Sequence, residues 1–308
     1  LHLFFAFGAS LQFSGLGTPY IWSPLLGAGE LALDDVCTNL VIQPGAQTTA
    51  ALAVYVRNQT YVLYGTSSAD WNLTTYSQDT GALAYSAQNV GRTYALDDRG
   101  VVDLQTSQAY GNFASATLTE NIRPYLSTRR NRIAASGKNR EKSQFRLFFS
   151  DGYGLYLTIV NGKFKGAMPV YFPNDVTCSC DGETPDGNET SFFGSSNGMV
   201  YRLDVGPNFD GADIQAVGLL VYNSEGNSRI NKHYRRGSIE LTGNSYAEFR
   251  VGYNMEYGDA TRVDQGATLL YANNFSAPLW DAFTWDAFVW DGLNLSPSEV
   301  DIRGNARN

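Results

Sequence analysis

A hairpin motif at residues 192–204 constrains the fold more than any other stretch of this chain. Its sequence, FFGSSNGMVYRLD, places an apolar run before a turn at Asn197-Gly198 and an alternating run after it. Asn-Gly accepts the positive φ angles of a two-residue hairpin turn, and the twist of that turn matches the strands that it joins. We therefore predict a β-hairpin here, with Gly198 in the turn.

The same plan occurs twice more, so the hairpin is a repeated unit. Residues 147–156, LFFSDGYGLY, have Asp-Gly at the turn, and residues 94–102, YALDDRGVV, have Arg-Gly. The turn glycines, Gly100, Gly152 and Gly198, lie about 50 residues apart, a spacing typical of propeller blades. We predict an all-β fold: a β-propeller-like array of antiparallel four-stranded blades, with an irregular aromatic segment near the C-terminus.

The composition supports this fold class. The 308 residues include 19 Tyr, 17 Phe and 31 Gly but only 22 Lys and Arg, and many aromatic residues and glycines favour strands with frequent turns. The net charge of -8 argues against a generic nucleic-acid-binding protein. No apolar run reaches the roughly 18 residues of a membrane span, and the apolar opening lacks the basic region of a signal peptide.

The distribution of these patterns predicts three regions. Residues 1–45 carry N-terminal strands of an incomplete or shared blade, and the chain opens within a strand, which suggests a fragment or a processed product. Residues 46–260 form the β-propeller-like domain. Residues 261–308 are a C-terminal extension for packing or for contact between subunits.

Individual strands are predicted from alternation and from the turn residues that bound it. Residues 31–41 fit a helix or a strand, and residues 178–188 an exposed loop between strands. Four strands in roughly 40 residues, from 51 to 86, make one blade. The strands expected are 3–7, 18–22, 51–56, 60–64, 71–76, 82–86, 214–222, 238–241 and 246–253.

Two segments reverse the acidic balance of the chain, residues 121–146 and residues 229–236. The first fits a solvated helix or a long loop between blades, and also a face that meets phosphate or an acidic neighbouring subunit. The second fits a strand or a hairpin tip. The candidate residues for contact with subunits or DNA are Arg123, Arg129, Arg130, Arg132, Arg229, Lys232, Arg235 and Arg236.

Residues 280–291, WDAFTWDAFVWD, repeat Trp-Asp every five residues. A WD-repeat protein carries that dipeptide once per ~40 residues, so this is a different pattern. Trp280, Trp285 and Trp290 are candidates for aromatic packing or for a subunit interface. An exposed platform for sugar is the alternative.

No residue pattern in the sequence predicts catalysis. The sequence has no Gly-x-Ser-x-Gly motif, phosphate-binding loop or dinucleotide fingerprint. His2 and His233 are the two histidines and lie far apart in sequence, which argues against a triad or a zinc site. We expect Cys37, Cys178 and Cys180 to be free, with one bridge as the alternative. We predict no enzymatic activity, no cofactor and no metal.

Five stretches carry a resemblance to a known family. They are TPYIWSPLLGAGELALDDVCTN (18–39), RTYALDDRGVVDLQTSQAYGNFASATLTENIRPYL (92–126), KSQFRLFFSDGYGLYLTI (142–159), SSNGMVYRLDVGPNFDGADI (195–214) and SRINKHYRRGSIELTG (228–243). Their order resembles that of tailed-bacteriophage virion proteins, of the tail nozzle or tube-end β-propeller type. The match covers most of residues 18–260.

The resemblance implies a structural virion protein of the viral tail, assembled as a homo-oligomeric ring that is typically a hexamer. Its partners would be other copies of itself, the adjacent adaptor and fibre proteins, and genomic DNA passing transiently through the lumen during ejection. The family offers no catalytic residues to transfer. DNA slides best past an acidic or neutral wall, so the basic segments are expected to dock on acidic neighbouring subunits.

Two other functions remain open from the sequence. A propeller can serve as a receptor- or glycan-binding adhesin. It can also carry a glycoside hydrolase, which needs two carboxylates about 5 to 9.5 Å apart. The carboxylates considered are Asp34, Asp35, Asp97, Asp98, Asp204, Asp210 and Asp213, most of them in turns.

Overall fold

Antiparallel strands make up almost all the regular structure in the computed structural model. Among the described residues, α1 (Arg123–Arg129) is the one complete α-helix. The prediction of an all-β chain with antiparallel four-stranded sheets is confirmed. The structure describes residues 2–43, 51–65, 68–104, 117–206, 208–223, 226–227, 229–230, 232–234, 237–239, 249–251, 270–272, 298–300 and 304–306.

The chain divides into two compact units, Leu1–Ala212 and Asp213–Asn308. The domain boundaries expected after residues 45 and 260 remain predictions.

Five antiparallel sheets, numbered 1 to 5 here, follow one another along the first unit. Sheets 2 and 4 have four strands, and the other three sheets have three. Sheet 1 is β1 (Phe4–Phe7), β2 (Ser10–Phe13) and β3 (Gly29–Ala32); sheet 2 is β4 (Cys37–Ile42), β5 (Ala51–Val56), β6 (Thr60–Tyr64) and β7 (Asn72–Ser77); sheet 3 is β8 (Gln88–Val90), β9 (Arg92–Asp97) and β10 (Gly100–Asp103); sheet 4 is β11 (Ile133–Asn139), β12 (Gln144–Phe149), β13 (Tyr153–Val160) and β14 (Lys163–Tyr171); sheet 5 is β15 (Cys178–Glu183), β16 (Glu189–Gly194) and β17 (Val200–Arg202). A short ladder of β18 (Asn208–Phe209) and β19 (Ala212–Asp213) follows.

The first strand of each sheet lies beside the first strand of the next. β1 neighbours β4, β4 neighbours β8, β8 neighbours β11, and β11 neighbours β15. Each of these strands is also the edge strand of its own sheet. The five sheets therefore meet along one line of inner strands.

A separate hydrophobic core fills the space between each pair of consecutive sheets. Leu11 with Val54 represents the core between sheets 1 and 2, and Tyr55 with Ala95 the core between sheets 2 and 3. Leu96 and Phe145 lie in the core between sheets 3 and 4. The core between sheets 4 and 5 contains Phe148 and Phe193.

Strand β12, QFRLFF, shows why the inner sheets are apolar on both faces. Alternate residues of a strand point to opposite faces. Phe145, Leu147 and Phe149 point into the core shared with sheet 3, whereas Phe148 points into the core shared with sheet 5. Five of the six residues of β12 are buried, as expected for a strand covered on both faces.

Polar side chains join the inner strands where they lie side by side. Gln88 Nε2 of β8 donates to the Ser136 carbonyl oxygen of β11 at 3.1 Å. Ser179 Oγ of β15 donates to the same oxygen at 2.8 Å. Asp181 Oδ2 of β15 accepts from the Lys138 backbone N–H at 2.8 Å. These bonds fix the spacing of sheets 3, 4 and 5.

The three predicted hairpins are confirmed, with two changes of detail. Gly152 and Gly198 adopt φ values of 81° and 83°. The turn before β17 is longer than predicted, because Gly194 pairs with Val200 and five residues lie between them. In the hairpin of sheet 3, Gly100 is the first residue of β10, and the turn consists of residues 98 and 99.

Two predicted strands of the first unit are wrong. Residues 18–22 form a turn region, in which the Gly15 N–H donates to the Ile21 carbonyl at 2.9 Å. Residues 82–86 connect sheets 2 and 3, since the Ala82 and Leu83 N–H groups donate to carbonyls of different sheets. The fourth strand of sheet 2 is β4 instead of residues 82–86. β4 covers the later part of residues 31–41, which the sequence left open between helix and strand.

The basic stretch and the cysteine stretch also contain strands that the sequence did not predict. Residues 133–139 are β11 rather than loop or helix. A Cβ on Gly137 would lie 3.5 Å from Asp181 and Phe148, so small residues suit this inner strand better than a regular apolar pattern. Cys178–Glu183 is β15 rather than an exposed loop, and the loop is limited to residues 184–188.

The second unit contains three two-stranded ladders in its described part. The expected strands at 238–241 and 246–253 are confirmed where they are described, but residues 214–222 do not form a strand. Trp280, Trp285 and Trp290 lie outside the described residues. The ladders are β20 (Lys232–Tyr234) with β25 (Gly304–Ala306), β21 (Gly237–Ile239) with β24 (Ser298–Val300), and β22 (Phe249–Val251) with β23 (Leu270–Ala272).

In the described part of the chain, no helix has the length and apolarity needed to cross a membrane.

The positive φ of Gly198 gives a direct test of the hairpin before β17. We expect Gly198→Val to lower the free energy of unfolding by about 1–2 kcal/mol, because a left-handed backbone brings Cβ against the carbonyl. Gly182→Val is the matched control: Gly182 lies in β15, has an ordinary φ, and has no atom within 4 Å of the added Cβ. Urea unfolding followed by circular dichroism measures both. Equal losses in the two variants would contradict the strained turn.

Candidate functional site

The basic segment that the sequence singled out folds around α1. A 3-10 turn at Glu120–Ile122 precedes α1, and a second at Arg130–Arg132 leads into β11. Pro124 lies in the first turn of α1, where its missing N–H costs no hydrogen bond. Leu126 is buried and packs into the core between sheets 3 and 4. This anchor places the arginines of the segment over the hairpin turns of those two sheets.

Arg129 lies between two aromatic rings and one carboxylate. Its guanidinium carbon is 4.3 Å from the ring centre of Tyr125 and 4.5 Å from that of Tyr153. Its Nε is 3.3 Å from Asp151 Oδ2, a contact with the geometry of an ion pair rather than a hydrogen bond. Arg132 Nη1 is 3.7 Å from the same oxygen. Asp151 belongs to the turn between β12 and β13, so this group holds that turn against α1.

Arg130 makes an equivalent contact with the hairpin of sheet 3. Its Nη1 donates to the Asp98 carbonyl oxygen at 3.0 Å and is 3.2 Å from Asp98 Oδ1. Arg57, from the loop between β5 and β6, donates from Nη2 to Asp98 Oδ1 at 2.6 Å. The Asp98 carboxylate is therefore shared between two arginines from different parts of the chain.

Together these contacts form one arrangement, which we call the arginine clamp. It links two turns that lie far apart in sequence, residues 98–99 and residues 150–152. Its members come from sheets 2, 3 and 4 and from the α1 region, and most of its side chains are only partly exposed. The members of the arginine clamp are Arg57, Arg129, Arg130, Arg132, Asp98 and Asp151.

The clamp accounts for three of the predicted contact residues, and the others lie elsewhere. Arg123 is exposed and makes no ion pair with any described residue. In the second unit, Arg229 is exposed, and Lys232 Nζ donates to the Asn227 carbonyl oxygen at 2.6 Å. Arg235 and Arg236 lie outside the described residues. The structure does not gather the eight candidates into one site.

A second charged group is buried between sheets 4 and 5. Arg146 of β12 is 1% exposed, and its guanidinium carbon lies 4.4 Å from the ring centre of Tyr156. Its Nη2 donates to Asp204 Oδ2 at 2.5 Å and to Gln144 Oε1 at 2.8 Å. Lys142 Nζ lies 3.0 Å from the same Asp204 oxygen. A buried guanidinium needs such partners, because an isolated charge is costly away from water.

The surroundings of Asp204 lower its pKa below the usual value. Partial burial acts in the opposite direction, but hydrogen bonds from Arg146 and Lys142 outweigh it. Asp204 follows β17 and has a positive φ of 60°, a conformation that Asp adopts more readily than most residues. The carboxylate thus ties the end of sheet 5 to the interior of sheet 4.

Other carboxylates of sheet 5 act in the same way on the sheet 4 backbone. Glu189 Oε2 accepts from the Arg140 N–H at 2.6 Å and from the Glu141 N–H at 3.2 Å. Arg140 Nη1 is also 3.8 Å from Glu183 Oε1. Asp181 and Glu189 thus hold the backbone of the basic segment, while six of its eight cationic side chains lie in ion pairs with acids of the first unit.

The thiols and carboxylates do not assemble a metal centre among the described residues. Cys37, Cys178 and Cys180 are free. Burial raises the pKa of the Cys37 thiol to about 11, against a smaller opposing effect of its hydrogen bond to Asn39. Cys178 and Cys180 are exposed and lie on the same face of β15, since they are two residues apart in a strand.

Exposed aromatic residues gather at the N-terminal end of the array of sheets. Phe5 and Phe7 lie on the face of sheet 1 that points away from sheet 2, and both are exposed. The Phe5 and Trp22 rings have centres 5.3 Å apart, and Tyr20 is also exposed. We call these four residues the aromatic patch. Apolar patches of this kind often mark binding surfaces.

The sequence did not predict the acidic partners in either charged group, the arginine clamp or the group around Arg146. The sequence places Asp98 and Asp204 among carboxylates that lie mostly in turns, and Asp151 in an Asp-Gly turn, without an arginine partner for any of them. A usable signal was present, since both turns carry an acid while a basic segment of the same domain lacks an obvious partner. The pairing itself needs the packing of sheets 3 and 4.

Comparison with known proteins assigns no family. No protein-family model matches the chain, and no curated protein matches it. Two similar solved structures are crystal structures of BBS1N in complex with ARL6DN, one soaked with mercury and one with lead. Both are 10% identical to this chain, with a TM-score of 0.39. The alignments cover 65% and 62% of this chain, and 59% and 53% of those chains, less than two thirds of their length.

The clamp predicts that Arg129 stabilises the fold while Arg123 does not. We expect Arg129→Ala to lower the free energy of unfolding by about 1–2 kcal/mol, because the cation loses two aromatic rings and a carboxylate. Arg123→Ala, the matched control on the same helix, is expected to change it by less than about 0.5 kcal/mol. Thermal and urea unfolding measure both. Similar small changes in the two variants would show that the clamp does not stabilise the fold.

The lowered pKa of Asp204 predicts a defined pH dependence. A carboxyl whose pKa is lowered in the folded state contributes stability above its unfolded pKa of ~3.9 and loses it as the pH falls through the folded value. We expect Asp204→Asn to cost about 2 kcal/mol from pH 5 to pH 8, because it leaves Arg146 buried without its charge partner. The difference from the wild type should shrink below pH 4. Asp186→Asn, in an exposed loop, is the control and should change the free energy of unfolding by less than about 0.5 kcal/mol.

Proposed function

We propose that this chain is a structural subunit of a bacteriophage tail, located in the virion, in a nozzle or tube-end ring that surrounds the path of the ejected DNA. The order of motifs along residues 18–260 supports this family. The ring contains several copies of the chain, six in the order typical of the family. Its neighbours are adaptor and fibre proteins, and it has no enzymatic role.

We also propose that sheets 1 to 5 are consecutive blades of a β-propeller. The line of inner strands, each the first strand of its sheet, supports this arrangement. The separate core between each pair of consecutive sheets supports it too, because blades pack face to face around an axis. A rigid wall of this kind suits a conduit.

The observation that carries the proposed role is the pairing of cations in the basic segment with acids of the same unit. Arg129, Arg130 and Arg132 pair with acids of their own unit, as do three other cations of residues 121–146. The chain as a whole carries a net charge of -8. DNA binding needs unpaired cations that replace its counterions. A wall with this balance of charge lets DNA pass without holding it.

A glycan-binding adhesin is the second candidate, and the aromatic patch favours it. Phe5, Phe7, Tyr20 and Trp22 are partly or largely exposed, and the ring centres of Phe5 and Trp22 lie 5.3 Å apart. Aromatic rings present an apolar face with polar edges, so a sugar can pack against them. In this alternative the array of sheets is a scaffold for receptor contact.

Assembly and DNA binding test the proposal together. We expect the purified chain to form particles of several copies, measured as mass by light scattering after size-exclusion chromatography and seen as rings by negative-stain microscopy. We expect its affinity for double-stranded DNA to stay in the non-specific range of about 10⁻⁴ M or weaker near physiological salt. A monomer that binds glycans on an array, and loses binding on Trp22→Ala, would replace the ring proposal with the adhesin.

A further inference from the structure

Cys178 and Cys180 form a pair of thiols on one face of sheet 5. They alternate with Ser179 along β15, so both side chains point to the same face. Both are free and exposed, whereas the third thiol, Cys37, is partly buried. We call Cys178 and Cys180 the thiol pair.

The thiol pair lies on the face of sheet 5 that points away from sheet 4. Ser179 Oγ, on the opposite face, donates to the Ser136 carbonyl oxygen of β11 at 2.8 Å. Phe193, which lies opposite Ser179 in the ladder, packs in the core shared with sheet 4. The thiol pair is therefore outside this core, and a ligand can reach its sulfurs from solvent.

Two glycines flank the thiol pair. Gly194 of β16 lies directly opposite Cys178, and a Cβ on Gly194 would lie 2.8 Å from Cys178 Sγ. The sulfur thus uses the space that a side chain at this position would fill. Gly182 follows Cys180 on the same face of β15, and an added Cβ there would have no atom within 4 Å. Both sulfurs can therefore turn between staggered rotamers.

The spacing of the thiol pair favours a bridging atom over a disulfide. Residues two apart in a strand have Cα atoms about 6.6 Å apart, close to the outer limit of about 6.8 Å for a disulfide. A disulfide also needs its sulfurs about 2 Å apart. A metal ion with two metal–sulfur bonds of about 2.3 Å in line needs them only about 4.6 Å apart. Each sulfur then leans by roughly 1 Å instead of roughly 2 Å.

The number of ligands narrows the choice of ion. Thiolates are soft ligands that select copper(I), zinc and iron–sulfur clusters. Zinc and iron–sulfur centres usually take about four protein ligands. No group of three or more histidines, cysteines or acids that could hold a metal occurs among the described residues. Copper(I) forms linear complexes with two thiolates, so it is the ion that a pair of thiols suits best.

Arg202 provides positive charge on the same face. It lies opposite Phe192 in the ladder, and Phe192 lies opposite Cys180, so the three side chains share one face. Arg202 Nε donates to Thr190 Oγ1 at 3.0 Å, which places the side chain over β16, the strand next to β15. Copper(I) with two thiolates carries one net negative charge, and a nearby cation stabilises it.

We propose that the thiol pair binds one copper(I) ion, with Arg202 stabilising the charge of the complex. Each thiol loses one proton and forms one metal–sulfur bond. The metal stays monovalent, so the step consumes no oxidant and no reductant. The site belongs to a single chain and goes beyond the proposed function, since a monomer and a ring would bind the ion alike.

Binding is measured by titrating the reduced, oxygen-free chain with copper(I) against a chromophoric copper(I) chelator. We expect one ion per chain and the ultraviolet charge-transfer absorption of copper–thiolate bonds. Cys178→Ser and Cys180→Ser should each weaken binding by more than the roughly 10–100-fold loss that follows removal of an outer partner of a metal ligand. Cys37→Ser, the matched control, removes the third thiol and should bind as the wild type does.

The role of Arg202 is tested separately from that of the ligands. We expect Arg202→Gln to weaken copper(I) binding by about 10-fold, because the complex loses its nearby cation. Arg202→Lys keeps the charge and should restore most of the affinity. An Arg202→Gln variant that binds as tightly as the wild type would remove the guanidinium from the proposal.

A second probe needs no substitution. Phenylarsine oxide joins two neighbouring thiols, forming two arsenic–sulfur bonds and releasing water. It should react one-to-one with the wild-type chain and displace the copper(I). Far-UV circular dichroism confirms that each variant is folded.

Three results would overturn the site. The first is a wild-type chain that takes no copper(I) from the chelator. The second is a loss of affinity in Cys37→Ser equal to that in Cys178→Ser and Cys180→Ser. The third is one ion per two chains, which would show that each chain supplies one thiol. None of these results bears on whether the chain forms rings.

Discussion

Burial of both sheet faces is the constraint on which the rest of this structure depends. Each inner sheet of the first unit contacts a sheet before it and a sheet after it, through a separate core on each side. A strand such as β12 must therefore present apolar side chains in both directions. Hydrophobic burial of this kind is the main driving force of folding. Because both faces of the inner sheets are buried, charged side chains lie either in the turns at the ends of the sheets or at a few paired positions inside.

The charged groups occupy both of those places, and they show which acids pair with the basic segment. In the sequence, residues 121–146 look like a surface for an acidic partner. In the structure, the partners are acids of the same unit: Asp98 and Asp151 in the arginine clamp, and Asp204 beside buried Arg146. A partly exposed ion pair contributes little alone, but pairs that join separate sheets restrict their relative movement.

The sequence predicts local features of this fold better than distant ones. The hairpins at Gly152 and Gly198 were predictable because turn chemistry depends on adjacent residues. The strand at 82–86 was wrong because its alternation serves a connection that bonds to two sheets. The clamp could not be predicted from the sequence, since Arg130 contacts Asp98 only after sheets 3 and 4 pack. Among the site candidates, Arg129, Arg130 and Arg132 lie in the clamp, and the acids that they pair with depend on the packing of sheets 3 and 4.

The succession of cores has a consequence for how the protein is made. Each core joins sheets that are neighbours along the chain, and each described strand of sheets 1 to 5 pairs within its own sheet. A chain leaving the ribosome can therefore complete one interface as soon as the next sheet emerges, without waiting for its C-terminal end. We expect the sheets to fold in chain order, so that the inner face of the most recently formed sheet stays exposed until the next sheet emerges.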